Sequence, residues 1–149
     1  MTGKGIAIAS GGGHWMQMLR LRPAFGDAEV LYVTTLDGLA TQAGLVRSAL
    51  VPECNRNTPL RILACAWALW RILRRERPDW VISTGALPGY IALRLARRMG
   101  VRTVWVDSVA NAEEMSMAGR KVRPYADLWL SQWEHVAATE GAEFAGAVL

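Results

Sequence analysis

The chain has 149 residues, of which 52% are hydrophobic, with a net charge of +4 and a pI near 9.6. This length suffices for a buried core, so we predict one domain over residues 1–149. Two cysteines without metal-ligand spacing indicate neither a disulfide framework nor a metal site. No segment offers the ~18 uncharged apolar residues of a spanning helix, and the apolar stretch before the first glycines is too short for a signal peptide.

Strand-like and helix-like segments alternate along the chain. The predicted strands are Gly5–Ala9, Glu29–Thr35, Trp80–Thr84, Val101–Asp107 and Asp127–Gln132, with short ones near Ala49–Val51 and Glu143–Val148. The predicted helices are Trp15–Pro23, Leu60–Arg77, Gly89–Met99 and a weaker one within Glu113–Tyr125. This alternation predicts an α/β fold with a parallel sheet covered by helices on both faces.

A glycine-rich loop, Ser10-Gly11-Gly12-Gly13, follows the first strand and leads into a helix starting near His14 or Trp15. Free backbone N–H groups and the positive end of the helix dipole would then face an anion. The same dipole disfavours protonated His14, which leaves it available as a base, a phosphate ligand or a structural residue. A tight turn without a ligand is the simpler alternative.

Two common nucleotide motifs fit this loop poorly. The dinucleotide fingerprint G-x-G-x-x-G is half met by Gly11 and Gly13, but its third glycine position is Met16. A phosphate-binding P-loop needs Gly-Lys-Ser/Thr, and this chain has Gly13, His14 and Trp15 there.

The helix from Pro59 contains nine successive apolar residues, Ile62 to Trp70, followed by arginines. Three interpretations remain open: burial between the sheet and its neighbours, burial against a second protein, or an interfacial membrane anchor. In the last case the aromatic rings would lie at headgroup depth and the arginines on lipid phosphates. The candidate membrane or partner contacts are Trp67, Trp70, Arg71, Arg74 and Arg75.

Two later loops should meet the first at the same edge of the sheet. Ser83–Tyr90, with Gly85, Pro88 and Gly89, permits a close approach of backbone, although such residues are common in ordinary turns. Asp107, Ser108 and Asn111 follow the next strand and could accept hydrogen bonds from a sugar or order the loop, with Asp107 alternatively capping a helix.

These three loops, followed by the segment SMAGRKVRPYADLWLSQW, resemble one family specifically. They are similar to the asparagine-linked glycosylation 14 family and its bacterial exopolysaccharide counterparts, and more distantly to the enzyme that converts lipid I to lipid II. The resemblance covers Ile6 to Leu149 and implies a Rossmann-like domain, the N-terminal-type half of a GT-B fold, which binds the acceptor.

The resemblance also implies roles for individual residues. The expected acceptor-diphosphate contacts are Gly11, Gly12, Gly13, His14, Gly85, Pro88 and Gly89. Asn111, Ser116 and Arg120 are expected to contact the acceptor or order its loop, Gly119 lies in the same matched segment, and Trp133 matches a tryptophan after a late strand. His14 and Asp107 are the candidate catalytic residues.

The implied activity is transfer of a sugar from a UDP-sugar to a polyprenyl-diphosphate-linked saccharide in polysaccharide or oligosaccharide biosynthesis. The donor half would need about 100–200 further residues, so we expect a separate glycosyltransferase subunit to bind the UDP-sugar and this chain to bind no cofactor and to be inactive alone. Eukaryotic members begin with a transmembrane anchor, which we do not expect in this chain. We therefore expect peripheral attachment to the cytoplasmic face of the membrane, in a heteromeric complex.

A stand-alone nucleotide- or dinucleotide-binding protein is the alternative, because a glycine-rich strand-loop-helix is common to both classes. The basic pI also suits nucleic acid, but the arginines lie mainly on helices beside apolar residues. No recognised DNA or RNA motif is present, so we expect no nucleic-acid partner.

Overall fold

A seven-stranded, entirely parallel sheet forms the centre of the computed structural model, which describes residues 1–148. The predicted domain end at Leu149 lies outside the described residues. The strands are β1 (Lys4–Ala9), β2 (Glu29–Thr34), β3 (Ser48–Leu50), β4 (Trp80–Ser83), β5 (Arg102–Val106), β6 (Leu128–Ser131) and β7 (Glu143–Phe144). All seven predicted strands are present, with end positions shifted by one residue or, at β7, by four.

The helices are α1 (Gly13–Arg20), α2 (Leu39–Gln42), α3 (Pro59–Glu76), α4 (Ala86–Arg98), α5 (Met117–Val122) and α6 (Glu134–Glu140). Helix α1 begins two residues before its predicted start and ends at Arg20, after which a separate 3₁₀ turn, Arg22–Phe25, begins with a proline near its start. Helix α4 begins three residues early, at Ala86. Helices α2 and α6 were not predicted. The predicted α/β fold with a parallel sheet is confirmed.

The two faces of the sheet carry separate apolar cores. Alternate residues of β1 point to opposite faces: Ile6 and Ile8 belong to one core with α3 and α4, and Ala7 and Ala9 to the other with Trp15 of α1. Small alanines on the second face leave room for bulky tryptophans. The central strands β1, β4 and β5 are therefore buried on both sides.

The order of strands, β3-β2-β1-β4-β5-β6-β7, defines a switch point between β1 and β4. From β1 the chain builds outward through β2 and β3, then returns to add β4 on the other side of β1. Loops leaving β1 and β4 therefore diverge to opposite faces and open a crevice between them. Ligands of open α/β sheets bind at this place.

Helix α3 is buried on one face only. The interpretation that the whole helix is buried between the sheet and its neighbours is therefore wrong for the opposite face. Cys65, Leu69, Ile72 and Leu73 pack inward. The opposite face exposes apolar side chains, with exposed fractions of 80% at Leu60, 67% at Leu63, 59% at Trp67 and 44% at Trp70. No helix within residues 1–148 combines the length and apolar character needed to cross a bilayer.

Candidate functional site

The first glycine-rich loop lies at the switch point and opens to solvent. Gly12, with φ +74° and ψ −139°, adopts a backbone that favours glycine, and it precedes the first residue of α1. No side chain caps the start of α1, so its first amide hydrogens are left for solvent or a ligand. Gly12 and Gly13 are both exposed.

The second loop meets the first through His14. The Nδ1 atom of His14 lies 2.8 Å from the carbonyl oxygen of Thr84, and Thr84 Oγ1 donates to the His14 carbonyl at 2.7 Å. A carbonyl oxygen can only accept, so His14 Nδ1 carries the hydrogen and, in the neutral ring, Nε2 keeps its lone pair. The predicted convergence of the loops after β1 and β4 is therefore present.

The glycines of the second loop are required by the protein itself. A Cβ at Gly85, where φ is +137°, would lie 2.4 Å from the His14 ring. A Cβ at Gly89 would lie 1.9 Å from Ser83 Oγ. Pro88 lies in the first turn of α4 and is buried. The two glycines therefore leave room for the His14 ring and for Ser83, and no larger residue fits at either position without a shift of its neighbours.

Asp107 is a buried carboxylate that holds the third loop in place. Its two oxygens accept hydrogen bonds from Trp105 Nε1 at 3.0 Å, Asn111 Nδ2 at 3.1 Å, and Ser116 through Oγ at 2.6 Å and N at 2.7 Å. Because its donors are protein groups, the contacts of Asp107 favour the ordering role over a catalytic one.

Ser116 and Arg120 hold the segment after this loop. Ser116 caps α5 by accepting a hydrogen bond from Gly119 N at 2.8 Å. Arg120 pairs with Glu114 at 2.7 Å and Glu140 at 2.5 Å, and the hydrogen bonds that it donates to Glu140 and Glu114 raise the pKa of Arg120. Ser116 and Arg120 therefore bond to neighbouring residues of this chain and order this segment.

Two buried side-chain amides at the site, those of Gln17 and Gln132, were not predicted from the sequence. Gln17 Nε2 donates to Ser108 Oγ at 3.1 Å, while Gln17 Oε1 accepts from Val109 N at 3.0 Å and Gln132 Nε2 at 2.6 Å. Gln132 Nε2 also donates to the Asp107 carbonyl. Together they join α1 to the loops after β5 and β6. A glutamine between Trp15 and Met18 on the apolar side of α1 was the available signal.

The five predicted contacts on α3 lie apart from the glycine loops. Arg71 stacks over the ring of Trp67 at 4.7 Å, and Arg74 over that of Trp70 at 5.6 Å. With Arg75 they line a groove of about 500 Å³ beside edge strand β3. The result is an exposed surface of aromatic rings covered by guanidinium groups, which we call the α3 face.

Solved structures share this fold over most of the chain. MurG of Acinetobacter baumannii is 13% identical with a TM-score of 0.74, over 99% of this chain and 44% of MurG. The UDP-N-acetylglucosamine 2-epimerase of Rickettsia bellii is 15% identical with a TM-score of 0.72, over 99% and 46%. MnaA of S. aureus, in a co-structure with UDP, is 17% identical with a TM-score of 0.70, over 94% and 40%. The chain thus spans less than half the length of these structures.

The sheet order, the paired loops and these likenesses define the class as a Rossmann-like α/β domain that matches one half of a GT-B enzyme. The family model described as Glycosyltransferase Family 4 matches residues 11–107. The chain therefore belongs to Glycosyltransferase Family 4. A search of curated proteins found no match to the sequence.

Proposed function

We propose that this chain is the acceptor-binding half of a membrane-associated glycosyltransferase. It binds a polyprenyl-diphosphate-linked saccharide at the switch point, and a separate subunit binds the UDP-sugar. Membership of a glycosyltransferase family and the likeness to one half of GT-B structures support this assignment.

Gly13 is the observation that carries the proposal. Its φ is not in the left-handed region, and a Cβ there would meet only Gln17 Nε2, at 4.0 Å. The fold therefore gives no reason for glycine at this exposed position. A ligand that lies against the backbone does give one, and amide hydrogens at a helix start suit a diphosphate.

His14 is the proposed general base of this half. With Nδ1 held by the Thr84 carbonyl, Nε2 can accept the proton of the attacking acceptor hydroxyl. The hydroxyl oxygen then forms its bond to the anomeric carbon of the donor sugar as the bond from that carbon to UDP breaks, and UDP leaves with the bonding electrons. Proton transfer by such a positioned side chain contributes about 10²–10⁴-fold in rate.

The α3 face is the proposed membrane contact. Tryptophan rings suit the depth of lipid headgroups, and arginines suit their phosphates. The exposed apolar side chains of Leu60 and Leu63 extend this surface along the same helix. Attachment would be peripheral, on the cytoplasmic face.

Recovery of the complex from native membranes tests the assignment. We expect the tagged chain to bring down a second protein with a uridine-nucleotide site, and the pair to transfer sugar from a UDP-sugar to a short-chain lipid-diphosphate saccharide. His14→Gln should lower this transfer about 100-fold or more without dissociating the pair. Tight UDP or dinucleotide binding by the isolated chain, with no partner, would instead support the stand-alone nucleotide-binding protein.

Vesicle flotation tests the α3 face separately. Trp67→Ser with Trp70→Ser should release the chain from vesicles containing anionic lipid. The matched pair Met16→Ser with Leu36→Ser removes exposed apolar side chains elsewhere and should leave flotation unchanged. Equal flotation of both double variants would contradict the membrane role of this face.

A further inference from the structure

A second cavity opens beside the second glycine-rich loop, between α4, α5 and the loop that precedes α3. It has a volume of about 480 Å³, within the ~300–1,000 Å³ typical of small-molecule sites. Its wall is largely apolar, with Leu87 and Tyr90 from α4 and Met117 and Ala118 from α5. None of these side chains belongs to the hydrogen-bonded site around His14 and Asp107.

The mouth of the cavity is basic. Arg56, from the loop that precedes α3, and Lys121, from α5, both line it, and Arg56 Nη1 lies 3.2 Å from Met117 Sδ. Within the described part of the chain neither cation forms an ion pair. The acidic rim residue Glu53 accepts a hydrogen bond from Thr35 Oγ1. An apolar wall under two free cations complements an amphiphile with an anionic head.

The cavity adjoins the proposed diphosphate site through consecutive residues. Gly85 lies against the His14 ring, and the next two residues, Ala86 and Leu87, line the cavity. Ala86 has φ +66°, a strained backbone for a residue with a Cβ. Strain of this kind is concentrated at ligand sites. A molecule whose phosphates lie at the glycine loops can therefore continue into this cavity.

We propose that the cavity binds the first isoprene units of the lipid acceptor, while the glycine loops hold its diphosphate and Arg56 and Lys121 add positive charge beside that diphosphate. This inference rests on the proposed function and assigns the hydrocarbon part of the acceptor to named residues. The loop containing Arg56 forms one wall of the cavity and leads within four residues to the exposed Leu60 of α3. The remaining prenyl chain would thus leave the cavity toward the α3 face and the membrane.

Titration of the full chain with farnesyl diphosphate and with inorganic pyrophosphate, by calorimetry, tests the assignment. We expect farnesyl diphosphate to bind about tenfold or more tightly than pyrophosphate, because the cavity buries its hydrocarbon. Ala118→Trp fills the cavity and should abolish this preference while leaving pyrophosphate affinity unchanged. Met117→Glu, at an exposed position of the mouth, should lower farnesyl diphosphate affinity even if Ala118→Trp does not fold.

Charge variants separate the cavity from general electrostatics. The double variant Arg56→Gln with Lys121→Gln should weaken the binding of both ligands. The control Arg98→Gln with Arg102→Gln makes the same charge change at exposed sites at the opposite end of the sheet and should weaken the binding of neither. Trp70→Ser should leave the preference for farnesyl diphosphate intact, since that residue lies on the α3 face.

The two proposals fail in different ways. If pyrophosphate binds and farnesyl diphosphate binds no more tightly, the diphosphate site stands and the prenyl cavity is overturned. A folded Ala118→Trp chain that keeps the preference overturns it too. If neither ligand binds the unaltered chain, the proposed function fails, and the cavity assignment fails with it.

Discussion

The two loops at the switch point are both rich in glycine, but the protein surrounds their glycines differently. In the second loop, a Cβ at Gly85 or Gly89 would collide with the protein's own atoms. In the first, a Cβ at Gly12 would meet nothing within 4 Å, although the φ of +74° there favours glycine, and a Cβ at Gly13 would meet only the end of Gln17. The fold thus requires the glycines of the second loop, whereas at Gly13 we propose that a ligand does.

Gly89→Ala should produce the largest loss of stability. The added Cβ would lie 1.9 Å from Ser83 Oγ and 2.9 Å from Ser83 Cβ, so α4 must move away from β4. We expect a loss of about 3 kcal/mol in the free energy of unfolding, measured by urea denaturation. An unchanged midpoint would mean that the second loop tolerates side chains, and the contrast with the first loop would disappear.

Gly85→Ala should cost about 2 kcal/mol, because it combines a positive φ with a contact to the His14 ring. The double variant with His14→Ala removes the ring but not the backbone strain. We expect a coupling of about 1 kcal/mol between the two sites in a double-mutant cycle. Additive effects would show that His14 does not press against Gly85.

Glu76 lies at the end of the sheet opposite to the glycine-rich loops, so a substitution there is a control that affects stability but not the proposed ligand site. It pairs with Lys4 at 3.1 Å, Arg47 at 2.7 Å and Arg75 at 3.0 Å. Burial raises the pKa of Glu76, but hydrogen bonds from Lys4 and Arg75 and the charges of Lys4 and Arg47 outweigh burial and lower it overall. Glu76→Gln should cost about 1–2 kcal/mol at pH 7 without changing ligand affinity.

The lowered pKa of Glu76 also sets the sign of the pH dependence. Its stabilisation is complete above the unfolded value, about 4.3 for glutamate, and is lost as the pH falls through the lower folded value. Denaturation followed from pH 6 to pH 3 should therefore show a smaller loss in Glu76→Gln than in the unaltered chain. Parallel curves for the two proteins would contradict this contribution.

The fold class could be predicted from the sequence, and so could the contact between the loops that follow β1 and β4. Dense Val, Ile and aromatic residues marked the buried strands, and their alternation with helices predicted a parallel sheet, although not the order of its strands. The exposure of α3 could not be derived, because nine consecutive apolar residues have no periodicity that distinguishes an inner from an outer face. The structure resolves this by burying Cys65 and Leu69 and exposing Leu63 and Trp67.

The hydrogen-bonded part of the site was predicted only in outline. Asp107 was placed correctly at the edge of the sheet, but its donor Ser116 lies nine residues further on in an irregular loop. The amide pair Gln17 and Gln132 is separated by 115 positions, and only the folded sheet brings the two together. Contacts over such separations depend on topology rather than on local pattern.

Gly13→Ala, the change with the smallest expected effect on stability, tests the central claim most directly. The Cβ fits the folded chain, so we expect the free energy of unfolding to change by no more than about 0.5 kcal/mol, or to rise slightly because alanine favours helix. Affinity for farnesyl diphosphate and for pyrophosphate, measured by calorimetry, should fall about tenfold or more, which is 1.4 kcal/mol or more. A stable Gly13→Ala chain that binds both as tightly as the unaltered protein would contradict a diphosphate site at this loop.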